Sequence, residues 1–325
     1  MPAFPTIGAI RDAAERIRPY VHRTPVFMSR TIDKMCGTEV FFKAENMQKV
    51  GAFKARGAVN SVFSLDDNQA AKGVATHSSG NHAAALAYAA QCRGIKAYVV
   101  MPENAPLNKK YAVAGYGAQI TYCKPTEQAR ESALAEVIEN TGAHFIHPYN
   151  DLRVICGQAT AALELLGQVS GLDLIIAPVG GGGLISGTAL AVSAIKPDAK
   201  VFGAEPAGAD DAFRSLQAGK IIPVETPDTI ADGLRTSLGE LTYPIIKEHV
   251  NAIITVSDEE ITGAMRLIWE RMKIIVEPSA AVPLAALMKE VDIFKGLKVG
   301  LVLSGGNADL DNLPWILKSG VQSAG

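Results

Sequence analysis

Short apolar runs alternate with longer amphipathic stretches along almost the whole chain. The apolar and alternating runs predict strands over residues 39–43, 73–77, 96–101, 119–123, 144–146, 173–178, 200–204, 252–256 and 299–304. Apolar positions at helical spacing predict helices over 80–93, 108–115, 127–141, 159–169, 184–195, 257–271 and 280–289, and a further helical pattern begins at Lys54. Ser257, with Glu260 three residues on, carries the capping-box signature of a helix start. Strand followed by helix, many times over, predicts an α/β chain with two open parallel-type sheets, helices covering both faces. Residues 174–177 and 300–303 are apolar on both faces, as a doubly covered sheet requires. Such sheets bind ligands beyond the carboxyl ends of their strands, so chemistry is expected just after the runs named above. Two stretches break the rhythm, a polar loop over 102–110 and a mixed segment over 206–241. No linker-like segment marks a domain boundary.

Composition narrows the class. A chain of 325 residues fits two domains or one large one with an insertion. With 48% hydrophobic and 20% charged residues it can bury a large core, which argues against disorder. The net charge of −2, without a basic run, gives no footprint for nucleic acid or an anionic membrane. Cys36, Cys92, Cys123 and Cys156 are irregularly spaced with no CxxC pair, so reduced thiols in a cytoplasm are expected. The first thirty residues lack the apolar core and cleavage site of a signal peptide. No run approaches the ~18 apolar residues of a membrane span.

Five segments could carry chemistry. Lys54 stands between Phe53 and Ala55 where a helix begins, in a context too apolar for an ordinary surface lysine. Desolvation lowers a lysine pKa and lets the amine form a Schiff base with an aldehyde. Ser78-Ser79-Gly80-Asn81-His82 follows a predicted strand and supplies more polar groups than a helix cap needs. Gly180-Gly181-Gly182-Gly183 lies between a strand and a helix, where the backbone can wrap an anion at the helix N-terminus. No lysine follows in the Walker A position, and Ser186 breaks the G-x-G-x-x-G register, although Glu205 sits about where a dinucleotide fold places its ribose-binding acid. Ser304-Gly305-Gly306-Asn307 closes the last buried strand. Glu205 to Asp211 offers carboxylates and free carbonyls suited to Mg²⁺, Mn²⁺ or Ca²⁺, or reads as a plain acidic loop.

In this order, over nearly the whole chain from Arg23-Thr24-Pro25 to Asp309, the segments resemble fold-type II pyridoxal 5′-phosphate (PLP) enzymes. Within them the chain looks like the serine racemase and serine/threonine dehydratase branch. The resemblance implies that Lys54 holds PLP covalently, with Phe53 beside it, and that Asn81 hydrogen-bonds the cofactor's phenolic oxygen. It further implies that Gly180, Gly181, Gly182 and Gly183 cradle the phosphate and that Ser304 partners the pyridine nitrogen. Glu205, the Ala209 carbonyl and Asp211 match a divalent-cation site. Ser79 matches the residue facing Cα opposite Lys54, which racemisation would use as its second acid. Ser78, Ser79, Gly80, His82 and Arg130 match groups that receive the substrate carboxylate, and Asn307 falls where some racemases bind ATP. The resemblance also implies a large domain of residues 1–66 plus 150–325, a small mobile domain of residues 67–149, and a homodimer.

A serine at the ring nitrogen protonates it less fully than an aspartate would. That favours expulsion of a β-hydroxyl, giving a 2-oxo acid and ammonia from 3-hydroxyaspartate, serine or threonine, with racemisation of serine as the alternative. Two other classes are weaker. A nicotinamide-dependent dehydrogenase explains the glycine run and Glu205 but leaves Lys54 and Ser304 without a role. An amino-acid-binding protein would usually carry an export signal.

Overall fold

The computed structural model describes residues 4–78 and 80–316. Its strands are β1 (Val26–Phe27), β2 (Glu39–Ala44), β3 (Val74–His77), β4 (Ala97–Pro102), β5 (Gln119–Cys123), β6 (His144–Phe145), β7 (Leu174–Pro178), β8 (Lys200–Pro206), β9 (Ala252–Val256) and β10 (Lys298–Leu303). They form a six-stranded sheet in the order β1-β2-β10-β7-β8-β9 and a four-stranded sheet in the order β5-β4-β3-β6. Every pairing is parallel except that of β1 with β2. All five residues of β7 are buried, as are the last five of β10, which matches their unbroken apolar runs.

Each face of the larger sheet has its own core. On one, Ile176, Leu301 and Leu303 pack with Met265 and Ile268 of the Asp258–Met272 helix and with Leu284 and Leu287 of the Pro278–Lys289 helix. On the other, Ile175 and Val302 pack with Ile185 and Val192 of the Gly183–Ile195 helix. The capping box at Ser257 and Glu260 forms as its residues predict, with Ser257 accepting from the Glu260 amide and Glu260 from the Ser257 amide.

Several helices lie outside the predicted ones. Ile7–Ile17 and Arg30–Cys36 precede β2, Asp211–Ala218 occupies the mixed segment, and Leu152–Gln168 starts well before the predicted residue 159. The last runs between the Lys54–Phe63 and Gly183–Ile195 helices at very short range. A Cβ on Gly157 would lie 2.6 Å from the Arg56 carbonyl oxygen, and one on Gly187 2.6 Å from the Ala159 nitrogen. The lysine-bearing helix is further tied down by buried charges. Arg56 bonds both oxygens of Glu45 (2.7 and 2.8 Å) and both oxygens of Glu164 (2.8 and 2.9 Å), while Lys43 reaches Glu164 at 2.6 Å. Two cations facing two carboxylates satisfy one another, which a buried charge requires. Among the described residues no helix is long and apolar enough to cross a membrane.

Candidate active site

The site assembles where the carboxyl ends of the two sheets face each other. Phe53 donates its backbone N–H to the Ser304 carbonyl (3.0 Å), Ala52 bridges Gly305, and Gly306 donates to the Gly51 carbonyl (2.9 Å). These contacts place Lys54, the first residue of its helix, against the turn that follows β10. Its amine donates to the Pro148 carbonyl (2.9 Å) and lies 5.2 Å from the Phe53 ring centroid. Burial alone lowers the Lys54 pKa to about 8. The neighbouring imidazoles do not restore the charge. His147 accepts from the Tyr149 and Asn150 amides on Nδ1, and burial takes its pKa down to about 4. His82 is held neutral by burial, and its Nε2 is 3.3 Å from the Ile146 carbonyl oxygen. A lysine amine in such company loses its proton readily, as carbonyl chemistry requires.

The Ser78–His82 segment follows β3. Ser78 donates its amide to Val100 (3.1 Å) and accepts from the Gly80 amide on its hydroxyl (3.3 Å). Ser79 lies outside the described residues. Asn81 opens the Asn81–Arg93 helix, and its amide group is oriented from both sides. Its Nδ2 donates to Glu277 Oε1 (2.8 Å), and its Oδ1 accepts from Asn307 Nδ2 (2.9 Å). Glu277 is 4% exposed, and burial, then the charge of Asp232, raises its carboxyl pKa to about 7. Sequence reasoning missed Glu277, which looks like an ordinary residue ahead of a proline at a helix start. Its signal is the contact with Gly305, where a Cβ would meet Glu277 Oε1 at 2.4 Å.

The four glycines follow β7 and begin the Gly183–Ile195 helix, with no side chain capping its first turn. Gly182 has φ of 87°, in the region that favours glycine. A Cβ on Gly181 would lie 2.3 Å from the Tyr149 ring, and one on Gly180 3.0 Å from Leu234 Cα. The backbone therefore runs pressed between Tyr149 and the Leu234 segment, leaving its helix N-terminus as a cradle for a dianion. Tyr149, a second residue that sequence reasoning missed, stays a neutral phenol because burial and then the Asp211 charge push its pKa up to about 12. Ser304 is 3% exposed, beside Phe53 and Lys54. An amine of lowered pKa, an oriented amide, an uncapped helix N-terminus in a glycine run and a buried hydroxyl suit the groups of PLP, and these residues fit it.

Arg130, on the Glu127–Thr141 helix, leaves its Nε buried without a protein partner. After burial, its charge is the next influence lowering the pKa of His77, which ends β3. Farther off, Glu205 at the end of β8 and Asp211 are both fully buried. Glu205 accepts from the Ala212 and Phe213 amides (both 3.0 Å), and Asp211 Oδ2 from the Leu238 amide (3.0 Å), while Asp211 Oδ1 has no protein partner. Burial and then the neighbouring Asp211 charge raise Glu205 to about 9, and burial raises Asp211 to about 7. Asp210 turns outward to Arg214 at 2.7 Å. Two buried carboxylates without a buried cation between them suit a divalent ion, with the Ala209 carbonyl nearby in the chain. Among the described residues no group of three His, Cys, Asp or Glu could hold a metal, so such a site has to draw on backbone oxygen or water.

Comparison with known proteins adds a separate line. Residues 17–305 match the family model described as pyridoxal-phosphate dependent enzyme. The chain is 54% identical over 312 residues to the beta-hydroxyaspartate dehydratase of Paracoccus denitrificans (strain Pd 1222), covering 96% of this chain and 99% of that protein. It is 46% identical to the L-threo-3-hydroxyaspartate ammonia-lyase of Saccharomyces cerevisiae, covering 94% of each. The crystal structure of serine racemase from Dictyostelium discoideum superposes with a TM-score of 0.91 at 52% identity, covering 95% of this chain and all of that one.

Proposed function

The chain belongs to the pyridoxal-phosphate-dependent enzymes, and from that membership we propose that it eliminates the β-hydroxyl of a small hydroxy amino acid, 3-hydroxyaspartate first, giving a 2-oxo acid and ammonia. The observation that carries the choice of substrate is the buried, unpartnered Nε of Arg130, a donor left for an anion the protein itself does not supply. With the α-carboxylate taken by the Ser78–His82 segment, this donor is left for a second carboxylate, a group that serine and threonine lack.

Bound PLP supplies an aldehyde to hold the substrate amine and an electron sink for Cα. Lys54 would hold the cofactor, and its amine of lowered pKa is the base this chain would offer to the substrate's Cα proton. Phe53 would pack beside it, and Gly180, Gly181, Gly182 and Gly183 would receive the phosphate through backbone N–H groups. Asn81, fixed by Glu277 and Asn307, would offer its remaining N–H to the cofactor's phenolic oxygen, and the Ser304 hydroxyl would serve its ring nitrogen. Ser78, Ser79, Gly80 and His82 receive the α-carboxylate, and Arg130 the distal one. Glu205, the Ala209 carbonyl and Asp211 would bind Mg²⁺, Mn²⁺ or Ca²⁺, whose charge would take the place of the protons these two acids otherwise retain. The reading includes a homodimer in the cytoplasm, with residues 67–149 closing as a small domain over a large one made of residues 1–66 and 150–325.

The test offers L-serine, L-threonine and each 3-hydroxyaspartate stereoisomer to PLP-loaded protein with Mg²⁺, assaying 2-oxo acid and D-enantiomer in parallel. Oxo acid from a hydroxyaspartate isomer well ahead of serine is expected. D-serine accumulating from L-serine faster than any oxo acid would instead establish racemisation, the activity named for the Dictyostelium relative.

A further inference from the structure

Lys109, on the Leu107–Gly115 helix beside the four-stranded sheet, forms an ion pair with Asp232 of the Asp232–Leu234 turn beside the six-stranded sheet. The ends of this pair lie at the two halves of the site. A Cβ on Gly80 would sit 3.6 Å from the Lys109 amine. A Cβ on Gly180 would meet the Gly233 carbonyl oxygen at 3.3 Å, so the turn that carries Asp232 rests on the glycine run. The Lys109 side chain is 16% exposed and that of Asp232 42%, so water reaches the pair mainly from the Asp232 side. An ion pair so open to water adds little to static stability. It can still bias an equilibrium between open and closed arrangements that differ by a similar amount.

We infer that Lys109 and Asp232 form a latch across the mouth of the cleft. It holds the helix behind Gly80 and Asn81 against the turn behind Gly180, and so sets the substrate loop at its working distance from the phosphate cradle. Both are positioning residues, acting through the segments they join. The inference rests on the closing motion of the proposed function but not on the identity of the substrate.

Hydrogen–deuterium exchange on the full-length, PLP-loaded protein tests it. Lys109→Gln and Asp232→Asn should each speed amide exchange about two- to fivefold in both residues 107–115 and residues 229–235, including the segment that carries no substitution. The charge-swapped pair Lys109→Glu with Asp232→Lys should return both segments towards wild-type exchange. With the preferred substrate, KM should rise more than kcat falls in the single variants, and wild-type KM should rise with salt while that of Asp232→Asn does not. Faster exchange confined to the substituted segment, or a swap that restores nothing, would overturn the latch. Inactivity of the wild type on hydroxyaspartate would overturn the substrate assignment and leave the exchange result standing.

Discussion

Lys54 is the residue whose loss has the plainest consequence. Lys54→Ala should abolish the visible absorbance of the protein-bound cofactor and lower turnover by about a thousandfold or more, since one group both holds the cofactor and moves the proton. An absorbance spectrum and a 2-oxo acid assay read both. Glu277 has a subtler effect. Its folded pKa of about 7 lies above the ordinary 4.5, so the folded cofactor-free chain retains a proton that the unfolded chain releases. The benefit is complete below about pH 4.5 and fades as pH rises towards 7. Glu277→Gln should therefore make the stability of cofactor-free protein fall less steeply across that window, measured by urea unfolding at several pH values. Lys54 was legible in the sequence because an apolar setting singles out a lysine. Glu277 was not, because its partners Asn81 and Gly305 are distant in the chain and neither marks an acid as needed.

At the level of elements, the strands were read more faithfully than the helices. A strand buried on both faces, such as β7, shows as an unbroken apolar run whatever surrounds it. The Asp211–Ala218 helix is short and follows an acidic loop, so its pattern merges with its flanks. The early start of the Leu152–Gln168 helix was hidden for another reason. Gly157 looks like a breaker, but here it lets two helices touch. Gly157→Ala should destabilise the chain by about 2 kcal/mol or more, the order expected for overpacking a close contact, measured by chemical denaturation. The Asp258–Met272 helix ends instead on Lys273 in the left-handed region, with φ of 61°, at an exposed position. Lys273→Gly should raise stability by roughly 0.5–1 kcal/mol, because glycine adopts that conformation without steric cost. A shift of the denaturation midpoint at constant slope would register the gain.

For the whole molecule, the sequence announced parallel sheets but not their strand order, because alternation of strand and helix is the same for many orders. The two buried acids Glu205 and Asp211 connect local chemistry to global stability. Mg²⁺ or Ca²⁺ added to chelator-treated protein should raise its Tm, by an increment that grows with cation concentration, and Glu205→Gln should remove that response. Scanning calorimetry with and without chelator would show it. The strand order has a further consequence for how the protein is made. β10 lies between β2 and β7, so the middle of the larger sheet is supplied by a strand made after every other strand of that sheet. Until it arrives, β2 and β7 have no neighbour to share and Phe53 has no Ser304 carbonyl to hold it. A nascent chain thus carries Lys54 long before the strand that places it is made. Capture of the cofactor therefore waits for β10, and the strands left exposed before that moment are the part of biogenesis most in need of a chaperone.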